Sequence, residues 1–293
     1  MSDVTQLPQS PIPALLGDPD LTYWEGRYWL YATNDGQEGW VNSTINAFSS
    51  TDLVEWTDHG VAYDSLATVS WDRTPSRTWA PAVLHQSGRH VLYTAEDGNI
   101  AAAVADNPAG PFVDIGHPLV RADAVPGYQI DAAIMRHEGR PWLLWGNSVA
   151  HMAPLDDAGT AVDLTRLHSW KPHNFIEAID LKERAGLWHS TWSVGDTRKD
   201  DYHLEYATGP TPQGPWTHHG ILVEKRPEEG IYCTGHHSIL CLPGDEWILA
   251  YHRWAMDGGA GWRREVMFAP LEFDGDGLLR PVVPTHDWYR RAL

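Results

Sequence analysis

The sequence predicts an all-β fold: a five-bladed β-propeller with four-stranded blades around a central channel. Three observations predict it. A hairpin frame recurs five times at intervals of about fifty residues, the period of a propeller blade. Between the frames lie short apolar runs separated by Gly, Pro, Asn and Asp, which read as further strands and turns. No long segment carries a 3.6-residue apolar period with caps at its ends, so helices are few.

The frame is clearest from Asp131 to Gly139: an opening residue, apolar residues three or four places on, then a turn glycine. It opens again at Asp18, Ala80 and His236 and closes at Gly26, Gly88 and Gly244. A fifth copy opens at Glu177 and reaches Gly186 one residue late. Each is followed by an aromatic, apolar-rich run, at 28–31, 91–93, 142–145, 188–192 and 247–251. Strand, tight turn at Gly and second strand make a hairpin.

In chain order, residues 1–17 are a Pro-rich lead-in with little regular structure expected. Blade one opens at Asp18 and runs to about Asp64, with a third strand near 46–53 and a short outer strand over 54–60. Blade two runs from Trp79, with a strand over 99–105, a turn at 107–111 and an outer strand over 112–115. Blade three opens near Gln129 and has its third strand over 149–154. Blade four opens near Asn174, with strands over 202–208 and 216–220 about a Gly-Pro-rich turn. Blade five opens at Gly235, has a long strand over 264–273 and turns at Asp274-Gly275-Asp276-Gly277. With no linker to divide it, the whole of residues 1–293 reads as one propeller domain.

A chain of 293 residues can bury a large core, and 42% hydrophobic with 20% charged residues is a globular composition. No apolar run approaches membrane-spanning length, and the polar start Met1-Ser2-Asp3-Val4 lacks a signal segment, so a cytoplasmic location is expected. The net charge of −18 argues against nucleic-acid binding. Cys233 and Cys241 make neither a disulfide framework nor a zinc spacing and read as reduced and structural. Sixteen tryptophans are unusual. Indole faces stack well on sugar C–H faces, which makes carbohydrate the first substrate class; filling the interfaces between sheets is their ordinary use.

In a propeller the innermost strand of each blade lines the channel, so residues at one register face one another. Asp18, Asp131, Glu177 and His236, remote in sequence, are expected to cluster at one end. Like charges raise one another's pKa, and at least one carboxyl should hold its proton near neutral pH. A fold has no need of this; Ala80 serves the same position in blade two. Costly clustering of titratable groups points to function. A protonated carboxyl that donates to a leaving oxygen, opposite an ionised one, is the equipment of glycoside hydrolysis. A third can raise the donor's pKa.

Asp18-Pro19-Asp20, Ile130-Asp131, Glu177, Gly235-His236-His237-Ser238 and Tyr251-His252-Arg253 together resemble glycoside hydrolase family 43. Residues 49–56 resemble its S-x-D-L-x-x-W stretch, and Trp79-Ala80-Pro81 its W-A-P. The resemblance covers about residues 15–283 and implies a five-bladed propeller that cleaves with inversion. It implies Asp18 as general base, Glu177 as general acid and Asp131 as the modulator that orients Glu177. His236 would lie on the channel axis, where some members hold calcium or another ion. Arg264 resembles the arginine of the deepest sugar subsite, with Arg263 the competing candidate. Trp24 and Trp79 are candidate walls of the sugar pocket.

The expectation is a cytoplasmic inverting exo-glycosidase of short plant-wall oligosaccharides, needing no cofactor for its chemistry. α-L-Arabinofuranosidase stands first, then β-D-xylosidase and β-D-galactofuranosidase. Inversion requires the Asp18 and Glu177 carboxyls to lie about 6.5–9.5 Å apart; about 5 Å would mean retention. The reading of another class is a non-catalytic sugar-binding propeller. His218-His219 and Glu228-Glu229 read as solvated loops, and only one residue of His236-His237 should face the axis. The Asp274–Gly277 run reads as a hairpin turn and lacks the rest of a calcium loop.

Overall fold

The structure is a computed structural model that describes residues 10–72, 76–256 and 258–287. Five antiparallel sheets form the blades of a five-bladed propeller, each strand pairing with the next in sequence. Blade one holds β1 (Leu16–Trp24), β2 (Arg27–Asn34), β3 (Thr44–Ser50) and β4 (Trp56–Asp64). Blade two holds β5 (Thr78–Gln86), β6 (Arg89–Glu96), β7 (Asn99–Ala105) and β8 (Val113–Asp114). Blade three holds β9 (Ala133–His137), β10 (Arg140–Trp145), β11 (Ala150–Pro154) and β12 (His168–Trp170). Blade four holds β13 (Glu177–Arg184), β14 (Leu187–Val194), β15 (His203–Gly209) and β16 (Thr217–Val223). In blade five, β17 (Gly235–Leu242), β18 (Glu246–Trp254) and β19 (Arg264–Leu271) are described. Strand therefore starts at Leu16, inside the expected lead-in, of which residues 1–9 lie outside the described part. Helix is confined to single turns, such as α1 (Ser65–Thr68), capped by the Asp64 side chain. Among the described residues no helix is long and apolar enough to cross a membrane.

The hairpins follow from their turn residues. Between β1 and β2, Glu25 and Gly26 both take positive φ, 48° and 77°, as a two-residue turn matched to strand twist demands. The core lies between blades. One cluster joins blades five and one through Leu16, Tyr28, Phe48, Ile248 and Phe268. Another joins blades three and four through Trp142, Trp188 and Trp192. Trp29, Trp142, Trp145, Trp188, Trp192 and Trp247 are all buried in such packing. Much of the tryptophan content is thus interface filling.

Side chains also stitch the ring along the innermost strands. Asp20 Oδ2 accepts from the Val83 N–H, Asp180 Oδ2 from Ile239 and Ser238 Oγ from Leu21. These bonds tie blade one to two, four to five and five back to one.

At or near the start of each innermost strand stands a residue with positive φ: Asp18 (52°), Ala80 (49°), Asp131 (61°), Ala178 (57°) and His236 (34°). In blades one, two, four and five the ladder slips here, the mark of a bulge. The bulge turns the N–H out of its own sheet, and a side chain of the preceding blade accepts it in four blades. His252 Nδ1 accepts from Asp18, Thr33 Oγ1 from Ala80, Asp131 Oδ2 from Ala178 and Ser193 Oγ from His236.

This register corrects one expectation. The blade-four counterpart of Asp18 is Ala178, and Glu177 stands one position ahead of it, level with Gly17, Trp79, Ile130 and Gly235. That is why the fifth frame reaches its glycine late. His218-His219 are exposed, as expected, but lie on a strand and not in a loop. Both belong to β16, where His218 meets Glu205 and His219 meets Thr208.

Candidate active site

The bulges bring the predicted carboxylates to one end of the channel. Asp18, Asp131, Glu177, His236, Arg264 and Trp79 all line one pocket of about 390 Å³, with Trp40, Ile130 and Asn147. That volume lies at the small end of small-ligand sites, about 300–1,000 Å³.

Asp18 is buried and held by a fork. Arg264 donates from Nη1 to Oδ1 at 2.6 Å and from Nη2 to Oδ2 at 3.0 Å. The same guanidinium grips Asp35 at 2.7 and 2.8 Å. Burial alone would raise the Asp18 pKa; the Arg264 charge, with His236 and His252, outweighs it and holds the carboxyl well below its ordinary range. Asp18 is therefore ionised at neutral pH. Arg264 is a buried side chain, 3% exposed, and no solvated strand-end charge.

Glu177 and Asp131 are shifted the other way. Burial raises both, and each lies near other carboxylates. Asp131 feels Glu177 and Asp18 together and rises well above its ordinary value. Glu177 is restrained by two donors, Tyr202 to Oε1 at 2.7 Å and Asn147 to Oε2 at 3.1 Å. Burial and the crowding of charge in this dry space thus favour the protonated form of the pair. Asp131 also accepts the N–H of Ala178 at 3.1 Å, so it fixes the peptide that follows Glu177.

Two glycines make this wiring fit. A Cβ on Gly17 would lie 2.1 Å from Arg264 Cζ, and one on Gly235 would lie 2.2 Å from Tyr202 Cε1. At the register where Glu177 reaches into the pocket, blades one and five thus carry no side chain, and Arg264 and Tyr202 fill the vacated space.

His236 Nδ1 lies 3.2 Å from Asp18 Oδ1 and 3.6 Å from Asp131 Oδ2. Burial pushes its pKa down to about 3, so the imidazole is neutral. His237 turns the other way, to Thr191 Oγ1 at 2.6 Å. Asp131, Glu177 and His236 each offer a ligand atom within 4.8 Å of the others. The set fits one face of a divalent cation, whereas calcium takes six to eight oxygens. Calcium here would draw most of its ligands from water.

Trp79 lines the pocket and donates its indole N–H to the Trp40 carbonyl at 2.8 Å. Trp40 in turn meets Trp262 edge-on at 5.6 Å. Trp24 does not belong here, a correction to the expected pocket wall. It ends β1, six residues beyond Asp18 or about 20 Å along an extended strand. There it stacks on His85 with ring centroids 3.4 Å apart. Arg263 instead donates to the Gly258 carbonyl at 2.9 Å, which leaves the pocket to Arg264.

Asp35, Asn147, Tyr202 and Trp40 were missed from the sequence. None repeats from blade to blade, so the frame carries no signal for them. Gly17 and Gly235 did carry one: small residues just ahead of the opening imply that something large lies there.

The chain matches the glycosyl hydrolases family 43 over residues 8–279. It is 26% identical to a β-D-galactofuranosidase, xynD, of Aspergillus niger, across 92% of this chain and 83% of that one. It is 28% identical to a β-xylosidase of Xylanibacter ruminicola, across 91% and 96% of the two chains. In fold it is similar to a β-xylosidase/α-arabinofuranosidase from a compost microbial metagenome, solved in complex with xylotriose: TM-score 0.79, 22% identity, 95% and 98% coverage. With its propeller and its match along nearly the whole length, the chain belongs to glycosyl hydrolase family 43 and is a glycosidase.

Proposed function

We propose an inverting exo-glycosidase that removes terminal sugars from short plant-wall-type oligosaccharides, with α-L-arabinofuranosidase its first activity. The observation that carries this reading is the opposite tuning of two carboxyls across one small pocket. Arg264 holds the Asp18 carboxyl low, while burial and neighbouring carboxylates raise Glu177 and, more strongly, Asp131. Asp18 takes a proton from water, and the resulting oxygen attacks the anomeric carbon. Glu177 gives its proton to the glycosidic oxygen as the C–O bond on the other face breaks. Asp131 holds Glu177 in place through the Ala178 peptide. Each proton and the nucleophile come from these side chains and one water.

His236, Arg264 and Trp79 line the same pocket, which supports their reading as sugar-binding residues. An ion on the axis beside His236 would supply positive charge next to Asp131 and Glu177, favour their ionised forms and so weaken the acid. β-D-Xylosidase and β-D-galactofuranosidase are the next activities, since relatives at similar identity carry those names.

The test is a panel of chromogenic furanosides and pyranosides, run on wild type beside Glu177→Gln. Release from the arabinofuranoside by wild type supports the class, and a loss in the variant that is much larger on natural arabinose-bearing oligosaccharides than on the activated phenolic substrate supports Glu177 as the acid. Release from no sugar moves the weight to a non-catalytic sugar-binding propeller. Proton NMR of the first-formed anomer tests inversion: the anomer opposite to the substrate's is expected, and the same anomer overturns it.

A further inference from the structure

On the outer side of blade four, three imidazoles face one buried carboxylate. Glu205, in β15, is 5% exposed. Its Oε2 lies 3.0 Å from His173 Nδ1 and 2.8 Å from His218 Nε2. Its Oε1 lies 3.6 Å from His203 Nε2. His173, Glu205 and His218 each offer a ligand atom within 4.8 Å of the others. The three come from different segments: the stretch ahead of β13, β15 and β16.

We propose that His173, Glu205 and His218 form a binding site for a transition-metal ion of the zinc class. Imidazole nitrogens with one carboxylate suit Zn²⁺, Co²⁺, Ni²⁺ or Cu²⁺, and do not suit the all-oxygen preference of Ca²⁺ or Mg²⁺. A tetrahedral Zn²⁺ with bonds of about 2.0–2.1 Å spaces its ligand atoms about 3.3 Å apart. Glu205 Oε2 lies 2.8 and 3.0 Å from the two imidazole nitrogens, a little inside that spacing, and the His173 and His218 rings stack with centroids 4.4 Å apart. The way in is open, since the His173 side chain is 54% exposed. The surroundings hold the ligands in place. Trp192 donates its indole N–H to the His173 carbonyl at 2.8 Å and lies against His218, with centroids 5.8 Å apart.

The site has a bearing on the pocket. His173 lies four residues ahead of Glu177, and the Phe175 and Ile176 backbone between them is tied down at Pro172 and Ser193. A bound ion would staple the segment that delivers Glu177 onto β15 and β16. The ion lies outside the chemistry and would act on stability, through the linkage that any ligand of the folded state exerts.

Untagged protein titrated with Co²⁺ tests the proposal. A visible d–d band saturating near one equivalent is expected, retained in His236→Ala and at least tenfold weaker in binding in His173→Ala/His218→Ala. No band overturns it. So does a band that survives the double substitution or disappears with His236, because the ion would then sit elsewhere. Should the double variant fail to fold, Cu²⁺ electron paramagnetic resonance on wild type decides. Nitrogen splitting from at least two imidazoles supports the site, and ligation by one imidazole overturns it.

Discussion

Gly17 and Arg264 occupy one another's space: the Cβ that any other residue would place at 17 falls 2.1 Å from the guanidinium carbon. The displaced volume is backbone on one side and a doubly paired, buried cation on the other, so neither can yield cheaply. Gly17→Ala is expected to push Arg264 off Asp18. A base must be ionised to act, and Asp18 is held low by that charge. Wild type should keep its activity far into acid, and the variant should lose it at higher pH. The check is kcat/KM against pH; an unmoved acid limb would separate Arg264 from the base.

Tyr202 tunes the acid in the opposite sense. Its hydroxyl donates to Glu177 Oε1 and favours the ionised form, against the upward push of burial. Tyr202→Phe removes that restraint. The Glu177 pKa should rise further, and the alkaline limb of the profile should move to higher pH. A limb that moves down would reverse the assignment.

Asp18→Asn and Glu177→Gln should each lower kcat by about 10²–10⁴-fold, the usual worth of positioned acid–base catalysis. The two differ in their dependence on the leaving group. An activated phenol needs little protonation, so Glu177→Gln should lose far less on such substrates than on natural oligosaccharides. Asp18→Asn should lose alike on both. Arg264 keeps Asp35 in Asp18→Asn, so no buried charge is orphaned and the circular dichroism spectrum should be unchanged.

Asp20 offers a stability prediction. Burial raises its pKa to about 7, against about 3.9 in an unfolded chain. Between those values the folded state binds more protons than the unfolded one, so stability falls as pH rises from about 4 to about 7. The cost at pH 8 is on the order of a few kcal/mol. Asn at 20 keeps an oxygen for the Val83 N–H and cannot titrate. Glu96, Asp131 and Glu177 are raised as well and keep part of this slope, so the gap between urea midpoints at pH 5 and pH 8 should be smaller in Asp20→Asn than in wild type; an equal gap would refute this.

The fold was legible because it repeats. Five turn glycines and five aromatic runs give the blades, and the opening residues give Asp18, Asp131 and His236. Glu177 was found despite its frame, since the sequence cannot show a bulge or say that Ala178 takes the opening position. Trp24 and Trp79 looked alike as pocket walls. Only strand polarity separates them, one near the bulge and one at the far turn. The side chains that set the charge states, Asp35, Asn147 and Tyr202, lie on β2–β3, β10–β11 and β14–β15 connections outside the frame. Their placement depends on how neighbouring blades meet. The strand that carries His218 was legible over 216–220, but its contact with Glu205 was not, because the pairing of an outermost polar strand leaves no apolar alternation to mark it.

Asp18 lies 234 residues from His252 and 246 residues from Arg264, the partners that hold it in its working state. A ribosome delivers the aspartate early and its partners late. Until the last blade docks on the first, Asp18 is an ordinary carboxyl on an open edge. Contacts of such span are costly in loop entropy and are among the last a chain can make. Competence for hydrolysis by the proposed mechanism is thus a report on completed assembly, and a chain stalled or clipped before its final blade should hold Asp18, Asp131 and Glu177 yet remain silent.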